Sequence, residues 1–587
     1  MVISRMTRLS AAVMAAFAIT PLAARAGIPA QALDATAAPT TIAALAHDEP
    51  VTARHAMVVT AQHLATEIGV DILKKGGNAV DAAVAVGYAL AVVHPCCGNI
   101  GGGGFMMVHL AGGKTVFLDF REKAPLAART DMYLDAKGNV IPGKSTKTYL
   151  GVGVPGTVMG LDTALAKYGT MPLAEVIAPA IRLARQGYVL QAGDVKILDT
   201  RAAGFAKYPN VAAIFLKHGK PYQVGDRLVQ PQLARTLQRI QKGGTEAFYR
   251  GEIAHAVVAA SARHGGILSL RDFADYTVQW DAPVSCEYHG YTFVSDPPPS
   301  SGGATICEIL GILRPYPLAR WGYGSARSLH YLVEAERRAF ADRNSYLGDP
   351  AFVHNDLGAL LSPSHLDRLR ATIQPDAATP SSAIKGNLGA TEGTNTTNYS
   401  IVDQHGNAVV VTYTINYLFG NGQIAGDTGF FLNNEMDDFT SKPGVPNSFG
   451  LVQGKSNAIE PGKRPLSSMA PSIVLHGHKL FMVTGSPGGS TIISTTLESF
   501  LNVVDFHMNM QQSVDAPRVH QQWYPDVVFV EPGLLTPGVS AKLGKMGYRF
   551  KVIPSWGADE AILVDPRTHL LEGANDRRRP SGLAAGF

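Results

Sequence analysis

The residues best suited to chemistry lie in a short stretch that begins at Thr396, TTNYSIVDQHGNAVVVTYTIN. Two β-strands are predicted there, Asn398–Asp403 and Asn407–Ile415, because both segments are rich in Tyr, Ile, Val and Thr. The connecting Gln404-His405-Gly406 suits a hairpin turn whose last residue is left-handed. In the register set by this turn, Thr396 faces Thr414, so the two hydroxyls can form a hydrogen bond.

A threonine at the start of a strand gains a catalytic use if the chain is cut before it. Cleavage between Asn395 and Thr396 would give Thr396 both a hydroxyl nucleophile and a free α-amine. The α-amine of a peptide ordinarily has a pKa of about 7.7–8.0, which suits a general base near neutral pH. The sequence therefore predicts catalysis by an N-terminal threonine. The alternative is that Thr396 and Thr397 are ordinary strand residues.

Two other features support such a site. The segment Ala378–Asn395 is rich in Ser, Thr, Gly and Asn, which is typical of an exposed stretch where a cut should fall. Gly488 and Gly489 precede a helix predicted from Ser490 to Phe506, so their N–H groups suit stabilisation of an oxyanion. Their motif, GSPGGS, lacks the lysine of a phosphate-binding loop and does not match the GxSxG of α/β-hydrolases.

Charged residues that could bind a substrate occur in two places. Arg121 follows a predicted strand and could hold a carboxylate through two hydrogen bonds. An arginine beside Glu122 is also typical of a surface ion pair. Glu435, Asp437 and Asp438 form an acidic group that would suit an ammonium ion, although a charge run is usually a solvated face. Flanking Phe and Leu residues favour a pocket wall instead.

Composition limits the class of protein. The chain has 587 residues, of which 46% are hydrophobic and 17% charged, as in globular proteins. A net charge of +4 favours neither a nucleic-acid-binding protein nor a membrane-surface protein. We expect no metal site, since CxxC and HExxH motifs are absent from the sequence. Cys96 and Cys97 could each pair with Cys286 or Cys307, and the connectivity stays open.

The N-terminus predicts export. Arg5 and Arg8 precede an apolar run, Leu9–Ile19, and Ala24-Arg25-Ala26 is typical of a signal-peptidase site. We therefore expect a signal peptide over residues 1–26, followed by a loosely ordered leader. No later apolar run is long enough to span a bilayer. The expected location is the periplasm if the source has an outer membrane, with no membrane anchor after cleavage.

Alternating helices and strands predict an α/β fold. Residues 443–458 are rich in Pro, Gly, Asn and Ser and could form a lid over the site. The other predicted elements are helices between His63 and Val93 broken at Gly76-Gly77, strands Phe105–Leu110 and Lys114–Phe120, a mostly helical region Val154–Ala274, helices from Ala304 and over Ser328–Arg343, and strands Ser472–Leu475 and Lys479–Thr484.

Several separate blocks of this sequence resemble those of the γ-glutamyltranspeptidases (glutathione hydrolases), which belong to the N-terminal-nucleophile hydrolase superfamily. One departure is Asn398, where many bacterial members have His. The blocks are GGNAVDAAVAVGYALAVVHP (76–95), GNIGGGGFM (98–106), LDFREKAP (118–125), ADRNSYLGDP (341–350), TTNYS (396–400), NNEMDDF (433–439), KRPLSSMAP (463–471) and GSPGGS (485–490).

The resemblance implies a four-layer αββα sandwich built from two associated chains, Gly27–Asn395 and Thr396–Phe587, after self-cleavage. It implies that Thr414 orients the nucleophile and that Gly488 and Gly489 form the oxyanion hole. The residues implied to bind the substrate are Arg121, Ser467 and Ser468 for its α-carboxylate and Asn416, Glu435 and Asp438 for its α-amine.

The implied activity needs no cofactor. Thr396 attacks the γ-glutamyl carbonyl of glutathione or a related amide, and the resulting ester passes to water or to an amino acid or dipeptide acceptor. One alternative is a cephalosporin (glutaryl) acylase of the same superfamily, whose acyl group lacks the α-ammonium. Another is a non-catalytic periplasmic amino-acid-binding protein.

Overall fold

The computed structural model describes residues 45–384, 396–445 and 454–587. Two antiparallel sheets of seven strands each lie at the centre of this part of the chain. In chain order the strands are β1 (Val51–Ala53), β2 (Met57–Thr60), β3 (Gly103–His109), β4 (Thr115–Phe120), β5 (Tyr188–Val189), β6 (Arg227–Leu228), β7 (Gln279–Asp281), β8 (Val284–Tyr288), β9 (Tyr291–Ser295), β10 (Thr397–Val402), β11 (Ala408–Thr414), β12 (Ser472–His476), β13 (Lys479–Thr484), β14 (Val519–His520), β15 (Val528–Val530), β16 (Phe550–Val552), β17 (Glu560–Val564), β18 (Leu571–Asn575) and β19 (Leu583–Gly586).

The strand order interleaves the two sides of Thr396. One sheet has the order β19-β2-β10-β11-β3-β4-β7, and the other has the order β1-β18-β17-β13-β12-β9-β8. Strands β14 to β16 form a small third sheet, and β5 pairs with β6. Because each large sheet contains strands from before and after Thr396, a cut at that residue would leave two chains that share both sheets.

Helices cover the outer faces of the two large sheets. Short 3₁₀ turns lie at Tyr149–Gly151, Ser381–Ala383, Glu435–Asp438 and Lys455–Asn457. In chain order the α-helices are α1 (His63–Lys74), α2 (Ala79–Val93), α3 (Lys144–Lys147), α4 (Thr157–Tyr168), α5 (Leu173–Val176), α6 (Ala178–Gln186), α7 (Ala192–Asp199), α8 (Ala202–Phe205), α9 (Pro209–Phe215), α10 (Pro231–Tyr249), α11 (Glu252–Arg263), α12 (Leu270–Ala274), α13 (Gly302–Leu313), α14 (Leu318–Trp321), α15 (Ala326–Tyr346), α16 (Leu357–Leu360), α17 (Pro363–Ala371), α18 (Thr491–Val504), α19 (Met510–Asp515) and α20 (Pro537–Lys545).

Side-chain alternation along the strands separates two cores. Val58 packs into the core beneath the helices, whereas its neighbours Met57 and Val59 pack into the core shared with the other sheet. Residues i and i+2 of a strand face the same side, so one strand lines both cores. Helix α2 is buried along its whole length and packs on β10 and β11. The result is the four-layer arrangement of helices, sheet, sheet and helices that the resemblance implied.

Most predicted elements are confirmed to within a few residues. The two helices before Val93 break at Gly76-Gly77, and the second begins at a capping box formed by Asn78 and Asp81. Strand β13 has the predicted bounds. The region 154–274 is mostly helical as predicted, but it also contains the short β5–β6 pair.

The cysteines pair differently from the combinations that the sequence left open. Cys96 is bonded to Cys97, and Cys286 is bonded to Cys307. The reason is their placement in different layers: Cys96 and Cys97 follow α2 in the core beneath the helices of the first sheet, whereas Cys286 lies on β8 of the second sheet and Cys307 on α13, the helix that packs on β8. A bond between the two pairs would have to cross a sheet.

Three predictions fall on parts of the chain outside the described residues. They are the signal peptide over residues 1–26, the cleaved bond after Asn395, and the middle of the lid predicted over residues 443–458. Among the described helices, none has the length and apolar character needed to cross a membrane.

Asp403 holds the β10–β11 turn to the first turn of α2. One of its carboxylate oxygens accepts hydrogen bonds from the N–H groups of His405 and Asn407, at 2.9 and 3.0 Å. The other accepts from the Asn407 side chain at 2.8 Å and from the N–H of Ala79 at 2.9 Å. Gly406 is left-handed, as predicted, with φ of 85°. The hairpin is therefore fixed at its turn by one buried carboxylate.

Asp403→Ala should lower the free energy of unfolding by about 2–4 kcal/mol, because it leaves the buried N–H of Ala79 and two N–H groups of the turn without acceptors. Asp403→Asn keeps one accepting oxygen and should cost about half as much. Chemical denaturation of both variants beside the wild type measures the difference. An alanine variant within about 0.5 kcal/mol of wild type would contradict this role for the carboxylate.

Candidate active site

Thr396 and Thr414 face each other at the open end of the β10–β11 hairpin. Thr397 pairs with Tyr413, which brings the preceding Thr396 beside Thr414. The two hydroxyl oxygens are 3.4 Å apart, and the N–H of Asn416 donates to the Thr414 oxygen at 2.8 Å. Both threonines are buried. The predicted register and the predicted pairing of the two hydroxyls are confirmed.

Glycines let the segment Gly101–Gly104 lie very close to this end of the hairpin. A side chain at Gly102 would begin 1.8 Å from the carbonyl oxygen of Thr414, and one at Gly103 would begin 2.5 Å from that of Phe120. No larger residue fits at such distances. The run Gly101–Gly104 therefore allows close backbone packing beside the site.

A 3₁₀ turn, Glu435–Asp438, brings the acidic group to the same place. Its preceding residue, Asn434, accepts a hydrogen bond from the Asn416 side chain at 2.9 Å and one from the N–H of Tyr417 at 3.0 Å. Asn416 is left-handed, with φ of 71°, a conformation that Asn adopts more readily than most residues. A chain of hydrogen bonds thus joins the threonine pair to the acidic turn.

Arg121 lies at the centre of the acidic group. Its guanidinium donates to both Glu435 and Asp438, and it lies 3.7 Å from Glu122. The Arg121 side chain is 1% exposed, so the surface-pair interpretation of Arg121 and Glu122 is wrong. The structure joins the residues predicted to bind an α-carboxylate and an α-amine into one ion-pair cluster. Asp437 instead accepts a hydrogen bond from Ser145.

The cluster holds more carboxylates than cations. Burial raises the pKa of Glu122 to about 7 and raises the pKa values of Glu435 and Asp438, while the nearby Arg121 opposes each rise. The three surrounding acids raise the pKa of Arg121 above that of a free guanidinium despite its burial. Three buried carboxylates outnumber the cations that act on them, Arg121 and, at Asp438, also Arg343, so they cannot all ionise at low cost. The cluster is therefore suited to receive a second cation, such as an ammonium group.

The loop that carries Ser467 and Ser468 contacts Arg121 at its start, where the Arg121 side chain donates to the carbonyl of Pro465 at 3.3 Å. Arg343 donates to the hydroxyl of Ser468 at 2.7 Å. The hydroxyl of Ser467 accepts from the N–H of Met469 at 3.0 Å. The loop of the two serines is thus held by two buried arginines, Arg121 at Pro465 and Arg343 at Ser468.

Gly488 and Gly489 lie between strand β13 and helix α18. Both have positive φ, 146° and 59°, which glycine adopts readily. The Gly488 carbonyl accepts from the N–H and hydroxyl of Thr491 at 3.2 and 2.7 Å, which fixes the loop to the helix. A side chain at Gly485 would begin 2.5 Å from Asn398, two residues after Thr396. The predicted oxyanion loop is therefore a neighbour of the strand that carries the threonine.

Sequence reasoning assigned no role to three residues that position this site. Asn434 holds the acidic turn, Arg343 holds Ser468, and Tyr276 donates to the carbonyl of Arg121 at 2.8 Å. Asn434 and Arg343 both lie in blocks that carry the family resemblance, NNEMDDF and ADRNSYLGDP. The resemblance blocks could therefore have pointed to Asn434 and Arg343, whereas no motif in the sequence around Tyr276 indicates a role for that residue.

Known proteins resemble this chain in sequence and in fold. A glutathione hydrolase proenzyme of Pseudomonas sp. (strain A14) is 53% identical, with 92% of this chain and 96% of that protein aligned. The crystal structure of Helicobacter pylori γ-glutamyltranspeptidase is 46% identical, with a TM-score of 0.54 over 55% of this chain and 93% of that one. The crystal structure of a cephalosporin acylase from Bacillus halodurans is 28% identical, with a TM-score of 0.81 over 92% of this chain and 97% of that one.

The family model of γ-glutamyltranspeptidase matches residues 65–586, which include every site residue described above. With more than half of the chain matched and relatives of high identity aligned over nearly their whole length, this protein belongs to the γ-glutamyltranspeptidase family.

Proposed function

We propose that this protein is a self-processing γ-glutamyltransferase and glutathione hydrolase. The observation that carries the proposal is the buried cluster of Arg121 with Glu435 and Asp438 beside the Thr396–Thr414 pair. An amino-acid head group offers a carboxylate to Arg121 and an ammonium to the acids, so the cluster can exchange its internal ion pairs for matched contacts with the substrate. Asn416 supplies a further hydrogen bond to the amino group, and Ser467 and Ser468 supply two to the carboxylate.

Processing comes first. The hydroxyl of Thr396 attacks the carbonyl carbon of Asn395, and the amide nitrogen of Thr396 leaves as a free amine. The ester formed is opened by water, which releases chains Gly27–Asn395 and Thr396–Phe587. They remain associated as a heterodimer because β10 and β11 pair with strands from the larger chain. The Thr414 hydroxyl orients the nucleophile.

The reaction cycle then uses the new N-terminus. The α-amine of Thr396 takes the hydroxyl proton as the oxygen attacks the γ-glutamyl carbonyl. N–H groups of Gly488 and Gly489 stabilise the oxyanion. Cysteinylglycine leaves from glutathione with the transferred proton, and a γ-glutamyl ester remains. Water then releases glutamate, or an amino acid or dipeptide acceptor takes the γ-glutamyl group.

A glutaryl acylase is the nearest competing function, given the similarity to an acylase structure. A glutaryl group carries the distal carboxylate but no ammonium. It would leave Glu435 and Asp438 without a cation from the substrate, and a buried unpaired carboxylate is costly. Turnover of γ-glutamyl-p-nitroanilide should therefore exceed that of glutaryl-p-nitroanilide.

A purely binding role fits less well. An amino-acid-binding protein would use the Arg121 cluster but would have no use for two paired hydroxyls at its edge.

We further infer that residues 1–26 direct export to the periplasm, since an arginine-bearing N-terminus, an apolar run and an A-x-A site occur in that order.

Thr396→Ala should abolish processing, because it removes the hydroxyl that attacks Asn395. The matched control is Thr397→Ala, which removes the neighbouring hydroxyl; that oxygen has no hydrogen-bond partner among the described residues. On a denaturing gel the first variant should run as one chain and the second as two. Two chains formed spontaneously by the Thr396 variant would remove this residue from the reaction.

Arg121→Lys should raise KM for γ-glutamyl-p-nitroanilide by roughly 10–100-fold, since a lysine cannot bind the carboxylate in the same two-point geometry. Effects on kcat should be smaller. Arg129→Lys serves as the control, because that arginine is 77% exposed and pairs only with exposed Asp131 at 3.5 Å among the ion pairs described. An unchanged KM in the Arg121 variant would exclude it from the carboxylate site.

KM should rise as the pH falls. The pKa values of Glu435 and Asp438 are raised by burial, so these groups gain protons at a higher pH than free carboxyls do and then lose their attraction for the substrate ammonium. Glu435→Gln removes one titrating group and should flatten this dependence. The measurement is KM from about pH 5 to about pH 9. Identical profiles for wild type and variant would contradict the assignment of Glu435.

A further inference from the structure

Three ligand-type side chains meet outside the active site, each on a different helix. Glu308 lies on α13, Asp342 on α15 and His365 on α17. The His365 Nε2 atom is 2.7 Å from an Asp342 oxygen and 3.7 Å from Glu308 Oε1. One ligand atom from each residue lies within 4.8 Å of the other two. Their side chains are 4%, 9% and 17% exposed for Glu308, Asp342 and His365, so the cluster is buried with one accessible side.

Glu308 supplies a second, independent observation at this cluster. Its Oε1 atom is buried and has no hydrogen-bond partner among the described residues. A buried carboxylate oxygen without a partner is costly. It points at His365 and Asp342, which are hydrogen-bonded to each other, and at 3.7 Å the His365 Nε2 atom is an ion-pair neighbour that is too distant for a normal hydrogen bond.

We propose that Glu308, Asp342 and His365 form a binding site for one divalent transition-metal ion, with Zn²⁺ as the test ion. Two carboxylates and one imidazole match the ligand preference of Zn²⁺ and Mn²⁺, and water can complete the shell on the side of His365. A dication there also balances the charge of the two carboxylates and coordinates the Glu308 Oε1 atom, which accepts no hydrogen bond among the described residues. The imidazole argues against Ca²⁺ and Mg²⁺, which prefer oxygen ligands.

The surroundings of His365 define what binding requires. Arg368 Nη2 lies 2.9 Å from His365 Nδ1. Because an arginine can only donate, this contact places the imidazole proton on Nε2, the atom that faces the two carboxylates. Coordination through Nε2 moves that proton to Nδ1 and turns the exposed Arg368 side chain away. Arg368 therefore competes with the metal.

The site would be structural. It joins three helices of the layer beside the second sheet, and Asp342 immediately precedes Arg343, which holds Ser468. A second group of possible ligands, His94, Cys96 and Cys97, is excluded because its two sulfurs are bonded to each other. The proposal does not depend on the proposed function, since its readout is metal binding without substrate.

Isothermal titration of the EDTA-treated, gel-filtered full-length protein with ZnCl₂ tests the site. We expect one ion per protein and an affinity at least about 10-fold weaker in Glu308→Gln and His365→Gln, by analogy with the effect of changing groups that surround metal ligands. His255→Gln is the matched control, because it removes an exposed histidine of α11, and it should bind Zn²⁺ as the wild type does.

Arg368→Gln should bind Zn²⁺ more tightly, because it removes the competing donor and a positive charge. Thermal unfolding without metal checks that all variants are folded; glutamine preserves the shape of Glu308. The proposal is overturned if the folded wild type binds no stoichiometric Zn²⁺, which would mean that the cluster shares protons only. Equal affinities for wild type, Glu308→Gln and His365→Gln would overturn it as well, and an unchanged affinity in Arg368→Gln would contradict the inferred competition between Arg368 and the metal.

Discussion

The antiparallel register of β10 and β11 is the constraint on which the rest of the site depends. It sets Thr396 beside Thr414, and a slip of one residue would turn every side chain of β10 to the opposite core. Three features hold it: the Asp403 carboxylate at the turn, the buried helix α2 on one face, and the close approach of Gly102 at the open end. The nucleophile is therefore positioned by the sheet itself.

Hydrogen bonds fix the positions of the charged side chains around this hairpin. Asn416 and Asn434 connect the end of β11 to the acidic turn, so the position of Glu435 relative to Thr414 is set by hydrogen bonds. Arg121 then neutralises part of a carboxylate excess that burial makes costly. Such a cluster favours a ligand that brings one anion and one cation close together, which is the pattern of an amino-acid head group.

Local signals in the sequence predicted the hairpin, because strand propensity and a left-handed Gly406 act over a few residues. They did not reveal contacts that only the fold creates: Arg343 lies far along the chain from Ser468, and Glu308, Asp342 and His365 come from three helices without ligand spacing. The cysteine pairs follow from which layer each residue enters, and the burial of Arg121 could not be read from its neighbour Glu122.

Catalysis by an N-terminal threonine requires Thr396 to be a chain end in the active protein. Intact mass spectrometry of purified active protein, combined with N-terminal sequencing of the smaller species, shows whether it is. We expect a fragment that corresponds to Thr396–Phe587 and begins with an unmodified threonine. An active protein that is continuous through Asn395 and Thr396 would rule out this mechanism, because its only proposed base would then be an amide nitrogen.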